Sequence, residues 1–504
     1  MQVHPTAPST EKMDPNTLPA APPDSVAQQG SNRCSGDDCS ETLEMRRELG
    51  LFDSISVIIG VVSGSGIFIS PRGVLEYSGS VAMALLVWAL SGVVSLVGAI
   101  TFAELATMIP ESGGIYTYIR RTLGPTPGFV YLWMALIIEE PTMRVVDGYT
   151  FGYYILQPFF PHDPPVVPIK LLAAVLIVFL AWVNCCAVKV SVALQDVLMI
   201  PKILILGSII ITGIYRLVTD PSSSYEEPFQ GTCLALPVIA TAFYQGLYTY
   251  DGWDNLNMVV EEMKNPSKTF PLASGISLII LTVVFVLTNV AYFAVLPRHV
   301  VSTSTAVAVS FGESAFGVMA WAVPVSVAIS ALASLNGQTF TQSRVVFVGA
   351  RAGHLPKFLA LINIKTKTPI PAIMFMTVQT LLMLWWSDIY ALINYVSFSH
   401  SLSRLVATSA LLWLRYKNPE MKRPFKVWLV LPVMYLAVTV LLVSLPVVEE
   451  PVTVGVALGV IAAGIIFYYV FIFHKFESKK IKRISGRFYR FVQILFQVMP
   501  EKKL

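Results

Sequence analysis

The chain has 504 residues, 55% of them apolar and only 13% charged, about half the charged share usual in soluble domains. That balance excludes a soluble enzyme, a disordered protein and a disulfide-stapled secreted domain. The net charge of +4 is small, and its distribution orients the chain. With the N-terminus inside, 27 of the 35 lysines and arginines fall in inner loops and tails, which places both termini in the cytoplasm and gives no reason to expect nucleic acid as a partner.

Apolar runs lie near residues 52–72, 81–107, 129–157, 169–186, 193–215, 234–259, 272–296, 318–347, 370–386, 389–414, 427–446 and 453–473. Each is near or above the roughly 17–25 residues that cross a bilayer as a helix. The sequence therefore predicts an all-α, multi-pass membrane protein with twelve transmembrane helices.

Residues 1–45 are rich in Pro, Ser, Thr and Asp and lack an apolar core, so they read as a disordered cytoplasmic tail. The first span is interrupted at Val61-Val62-Ser63-Gly64-Ser65-Gly66-Ile67-Phe68, and the sixth at Gln245-Gly246-Leu247-Tyr248-Thr249-Tyr250-Asp251-Gly252-Trp253. Alone, Gly64 and Gly66 would suit close helix packing. Paired breaks in spans one and six, the corresponding members of two groups of five, predict an inverted-repeat carrier with helices one and six discontinuous and two helices added. The repeats are placed at about 46–216 and 233–414 within a transporter domain of 46–474, with helices eleven and twelve at 427–473.

Backbone freed at mid-membrane depth must be buried in protein or line a wet cavity. An exposed helix N-terminus favours an anion and a C-terminal end offers carbonyls to a cation, so two facing breaks suit a zwitterion. An amino acid would set its carboxylate on the amides of Ser65 and Gly66 and its ammonium on the carbonyls of Val62, Ser63 and Tyr248. Lys202, in the fifth span, either substitutes for a bound cation or snorkels to the inner interface. The tail at 475–504 is basic, with Phe488, Phe491, Ile494, Leu495 and Met499 at roughly helical spacing, as in a helix lying on the anionic leaflet of the lipid bilayer.

The five cysteines (Cys34, Cys39, Cys185, Cys186, Cys233) show no zinc spacing, so neither a metal nor a cofactor is expected. An enzyme reading fails because there is no phosphate-binding Gly-rich lysine loop and no His-Glu-x-x-His, and Gly64-Ser65-Gly66 lacks the strand-to-helix setting of a nucleophile elbow. A channel or a transport-deficient amino-acid sensor remains a second class.

Gly64-Ser65-Gly66-Ile67-Phe68, Pro110-Glu111-Ser112-Gly113-Gly114-Ile115-Tyr116, Tyr250-Asp251-Gly252-Trp253 followed by Leu256-Asn257 and Glu261-Glu262, and Arg351-Ala352-Gly353-His354-Leu355-Pro356 together resemble the L-type amino acid transporters. These are the light chains of heteromeric amino acid transporters, within the amino acid-polyamine-organocation superfamily. The resemblance spans about residues 46–500. It implies a leucine-transporter-type fold and sodium-independent exchange of amino acids across the plasma membrane by alternating access. It further implies substrate contacts at Val62, Ser63, Gly64, Ser65, Gly66, Tyr248 and Asp251. Tyr248 is similar to the family's gating aromatic, and Thr142 and Trp253 are counted with this set.

Departures from the family pattern bear on selectivity. Tyr-Asp-Gly-Trp is similar to members that take neutral and dibasic substrates, so Asp251 can pair with a cationic side chain or cap an exposed amide. Span three carries Glu139, Glu140, Arg144 and Asp147, with Glu140 and Arg144 spaced to pair along one face. Span ten carries His400 and Arg404, which can answer Glu139 or Asp147 or close a self-satisfied network. The family's outer-loop cysteine, which bonds a single-span heavy-chain glycoprotein, is absent from Pro158–Pro165, where Asp163 stands near its place. No disulfide to a heavy chain is expected through that loop; noncovalent pairing and solitary function both stay open.

Overall fold

The computed structural model describes residues 49–160, 164–220, 223–304, 306–385, 389–449, 451–474 and 479–500. The N-terminal tail at 1–45, Cys34, Cys39 and Asp163 lie outside them. Each apolar segment is helical. The first holds α1 (Leu51–Val62) and α2 (Gly66–Ser78), which meet at a 48° bend. Next come α3 (Val81–Met108), started by Ser80, whose hydroxyl caps the Met83 amide, and the loop helix α4 (Gly114–Leu123).

The third segment is not one regular helix. α5 (Pro125–Met134) passes into α6 (Glu140–Leu156) through a wide π-helical turn at Ala135–Glu139. Pro141 has no N–H to return to the preceding turn, so the hydrogen-bond ladder breaks there. That widening sets Glu139 and Glu140 beside each other at the centre of the segment.

α7 (Val166–Cys186), α8 (Val188–Thr219) and α9 (Leu236–Thr249) follow, then a tight helical segment at Trp253–Glu262. After it come α10 (Pro266–Val295), α11 (Arg298–Thr303), α12 (Val307–Ala315) and α13 (Ala322–Arg351). The last helices are α14 (Ile370–Met383), α15 (Ile389–Lys417), α16 (Val430–Ser444), α17 (Pro446–Glu449), α18 (Pro451–Phe467) and α19 (Lys479–Phe496).

Among the described residues, six helices are long and apolar enough to cross a membrane unaided, and the bent α1–α2 pair makes a seventh. The remaining segments are shorter or broken. The outer faces remain apolar: Leu171, Val175 and Trp182 on α7 are all exposed, as lipid-facing side chains must be when the surrounding solvent is hydrocarbon. Inside, α10 packs on α3, α8 and α1, α13 packs on α6, α8 and α1, and α2 lies along α9. Both broken helices thus sit at the centre.

One departure from an all-helical chain lies at its end. β1 (Leu361–Asn363) pairs antiparallel with β2 (Val498–Pro500), Ile362 opposite Met499. Phe488 of α19 meets Phe358 at 5.0 Å, and the Asn363 amide donates to the Phe496 carbonyl at 2.7 Å, so the amphipathic tail helix is tied to the loop after α13.

Candidate functional site

α1 ends at Val62, and among the described residues the amides of Gly64, Ser65 and Gly66 donate to no backbone carbonyl. The carbonyls released at the end of α1 are met by side chains from two neighbours. Ser330 and Ser334, one turn apart on α13, donate to the Ser63 carbonyl at 2.8 Å and the Val61 carbonyl at 3.0 Å. Lys202, from α8, donates to the Gly60 carbonyl at 2.7 Å and lies 3.5 Å from the Ser63 hydroxyl. Its ammonium is buried and turned to the break, not to an interface.

The second break follows Thr249 and packs on the first. A Cβ on Gly66 would lie 2.8 Å from the Thr249 Cα, and a Cβ on Gly252 2.5 Å from a Val61 methyl. Gly252 also has φ +101°, a conformation that favours glycine. The Tyr248 carbonyl accepts from the amides of Tyr250 and Asp251, the latter at 3.1 Å, while the Ser63 carbonyl, with one donor from Ser330, keeps a second acceptor position. The Tyr248 side chain packs with Met143, Val146 and Leu335.

The charges of spans three and ten meet the expectation in part: His400 faces Glu139 at 3.7 Å. Asp147 does not answer α15: it accepts from the Ser65 hydroxyl at 2.6 Å and from Gln338 at 2.9 Å, because α6 faces α13 and the first break at that level. Asp251 does. Arg404 donates to its Oδ1, His400 bonds its Oδ2, and the Gly252 amide donates to Oδ1 at 2.8 Å. Of the two roles expected for this carboxylate, it takes that of capping an exposed amide, at Gly252, and it is held by Arg404 and His400 besides. Arg404 also reaches Asp254 at 3.2 Å and stacks 5.0 Å above Trp253. Glu139 accepts from Ser403 at 2.8 Å and stands 3.7 Å from His400.

Glu140 and Arg144 do not form the expected carboxylate–guanidinium bond. Arg144 Nε donates to the Glu140 backbone carbonyl at 3.1 Å, one turn back along the same helix. Glu140 Oε2, Arg144 Nη2 and the Thr142 hydroxyl, all buried, are left without partners among the described residues.

Four arrangements escaped the sequence reading. Glu262 and Arg344 form a buried pair at 2.8 Å, and Glu261 joins Arg351 at 2.9 Å while accepting from the Ser112 amide. Together they close the face where Leu49 pairs with Met263. Glu104, fully buried on α3, holds Arg415, Arg423 and the Val427 amide. The Tyr116 hydroxyl bonds His354 at 2.9 Å, and burial, with Arg120 nearby, pushes the His354 imidazole down to about 4. Arg344 offered the clearest signal, since an arginine inside an apolar span needs a buried partner.

A family model described as amino acid permease matches residues 49–473. The chain belongs to the amino acid permease family. This permease is 42% identical over 442 residues to the large neutral amino acids transporter small subunit 2 of Mus musculus, covering 86% of this chain and 83% of that one. It is 39% identical over 463 residues to the cystine/glutamate transporter of Homo sapiens, covering 92% of each. It is also 39% identical over 473 residues to the Asc-type amino acid transporter 1 of Mus musculus, covering 92% of this chain and 89% of that one. The L-type resemblance read from the four motifs stands with these relatives, and all three are transporters by name. The permease is thus a multi-pass membrane protein of an amino-acid-transporting family.

Proposed function

We propose that this permease is a sodium-independent antiporter of neutral amino acids, large or aromatic ones foremost, working by alternating access in the plasma membrane. The observation that carries the reading is the meeting of two helix breaks, with amides at Gly64–Gly66 that among the described residues donate to no backbone carbonyl on one side and carbonyls at Ser63 and Tyr248 on the other. An amine and a carboxylate on one carbon complement that pair of ends. Lys202 supports indifference to sodium, because its side-chain nitrogen already donates to the Gly60 carbonyl beside the first break, a position a bound cation could otherwise take. The names of the relatives, which include large neutral amino acids, agree with the substrate class.

The same reading takes all twelve helical segments as spans, in a leucine-transporter-type 5+5 arrangement with two more helices, and places both termini in the cytoplasm. Under it, the sealed face with Glu261, Glu262, Arg344 and Arg351 is the cytoplasmic gate. A small subunit in name, the first relative suggests a larger partner here too, held without a disulfide through the loop at Pro158–Pro165. A second reading, in which Asp251 binds dibasic side chains, is disfavoured because Arg404 and His400 occupy its carboxylate.

Reconstitution of the purified chain in liposomes, with uptake competed by a panel of amino acids, tests the proposal. Large neutral amino acids should compete best and without an added subunit. Uptake displaced by no amino acid would reject it in favour of a sensor or channel.

A further inference from the structure

The last helix carries three strips with three different surroundings. Spacings of three and four residues put Tyr489, Val492 and Phe496 of α19 on one side, and these pack with Phe358, Leu361 and Val498. Phe488, Phe491 and Leu495 form the next strip and are exposed. Arg483, Arg487 and Arg490 form the third, on the far edge of the apolar strip, and are exposed as well.

The seat of α19 lies where helical spans end. β1, which holds the tail through β2, is followed by Thr368, whose hydroxyl donates to the Cys185 carbonyl at the end of α7 at 3.1 Å, and then by Ile370, the first residue of α14. α19 itself touches α14. Trp182 on α7 and Met374 on α14 are exposed, as lipid-facing side chains are. Residues 352–369 hold three lysines and residues 479–496 six lysines and arginines, with no aspartate or glutamate in either stretch. An apolar strip edged by arginines, on a seat without acids and beside lipid-facing helices, complements an anionic leaflet: the rings enter the acyl boundary and the guanidinium groups stay with the headgroups.

The seat is also joined to the face that Glu261 and Arg351 close. Phe358, which meets Phe488 at 5.0 Å, belongs to the tight turn Lys357–Ala360 packed on α13, the helix that ends at Arg351. Between Arg351 and that turn, the His354 amide donates to the Gly349 carbonyl at 3.0 Å and its ring bonds the Tyr116 hydroxyl. The connecting loop is thus fixed and passes a shift of Phe358 on to the end of α13.

We propose that α19 binds anionic phospholipid of the inner leaflet and that this lipid, through the contact of Phe488 with Phe358, favours closure of the Glu261–Arg351 face. Exchange needs that face to close once in each cycle, so it runs faster on an anionic membrane. The inference rests on the reading above that makes the permease an exchanger and places this face and both termini in the cytoplasm.

The test uses the full chain in liposomes of phosphatidylcholine alone or with about 30% phosphatidylserine in both leaflets. Two quantities are read: amide hydrogen exchange across 479–496, and uptake of labelled leucine against internal leucine. Leucine carries no net charge, so its concentration at the surface is the same on both membranes. Phosphatidylserine should slow the amides of α19 at least fivefold and speed leucine exchange at least threefold. Arg483→Gln/Arg487→Gln/Arg490→Gln should lose both responses while matching the wild type in phosphatidylcholine, and Phe491→Ser should weaken both. Phe358→Ala should keep the amide response, since the β1–β2 ladder remains, and lose the leucine response. Wild-type amides that exchange alike in the two lipids, or a response that survives the triple arginine variant, overturn the lipid site. Leucine exchange that phosphatidylserine leaves unchanged or slows, with the amides responding, overturns the coupling to the gate. If neither membrane supports leucine exchange, the exchanger reading fails and the coupling with it, while the wild-type amides still decide the lipid site.

Discussion

Lys202 sets its ammonium 2.7 Å from the Gly60 carbonyl, one turn before the first helix break. The contact joins α8 to α1 across 142 residues of sequence and puts a fixed positive charge where the helix gives up its own hydrogen bonds. A hydrogen bond from a charged group contributes about 1.5–3 kcal/mol. Lys202→Met should therefore reduce amino-acid exchange at least tenfold, and adding sodium should not recover it. Wild-type rates in a variant of normal monodispersity would show that the ammonium is dispensable.

Gly252 and Val61 give a second prediction. Gly252→Ala introduces a methyl 2.5 Å from the Val61 side chain at φ +101°, where a left-handed backbone alone costs an L-residue about 1–2 kcal/mol. The variant should melt several degrees lower in detergent. Combining it with Val61→Ala should regain part of the loss and no more, because the backbone strain remains. Full recovery in the double variant would mean that only the clash mattered.

The buried Glu262–Arg344 pair should behave as a unit. Breaking such a pair from one side costs about 3–5 kcal/mol because the remaining charge stays buried. Arg344→Met should thus unfold more readily than Glu262→Gln/Arg344→Met, measured by thermal melting. Equal melting of the single and double variants would show that the two residues are not energetically coupled.

His354 predicts a pH dependence of stability. Its folded value of about 4 lies below the unfolded value of about 6.5, so between these limits the unfolded chain binds a proton that the folded chain refuses. Stability therefore falls as pH drops from about 6.5 toward about 4, and levels off below. His354→Gln should flatten that part of the melting profile. An unaltered profile would place the titrating group elsewhere.

The partner question has its own readout. Non-reducing electrophoresis of the cell-expressed chain should show no reductant-sensitive shift, while a band lost on reduction would reveal a covalent heavy chain joined through another cysteine.

Much of the centre was legible because its signals are local. Two glycine-containing interruptions at mid-span depth, a lysine in an apolar run and charges around Pro141 each stand out within a few residues. Their pairing was not. Asp251 and Arg404 lie 153 residues apart and Glu104 and Arg415 lie 311 apart, and nothing in either neighbourhood states which buried charge will answer which. The same holds for Asp147, whose spacing permitted α15 as readily as Ser65. The β1–β2 ladder escaped because three-residue strands carry no periodicity to detect.

Trans-stimulation tests the central reading most directly. Liposomes bearing the purified chain, loaded with unlabelled leucine and suspended in choline buffer, should take up labelled leucine several-fold faster than liposomes loaded with buffer alone, and replacing choline by sodium should change nothing. Uptake that ignores the internal leucine, or that appears only with sodium, would contradict a sodium-independent exchanger.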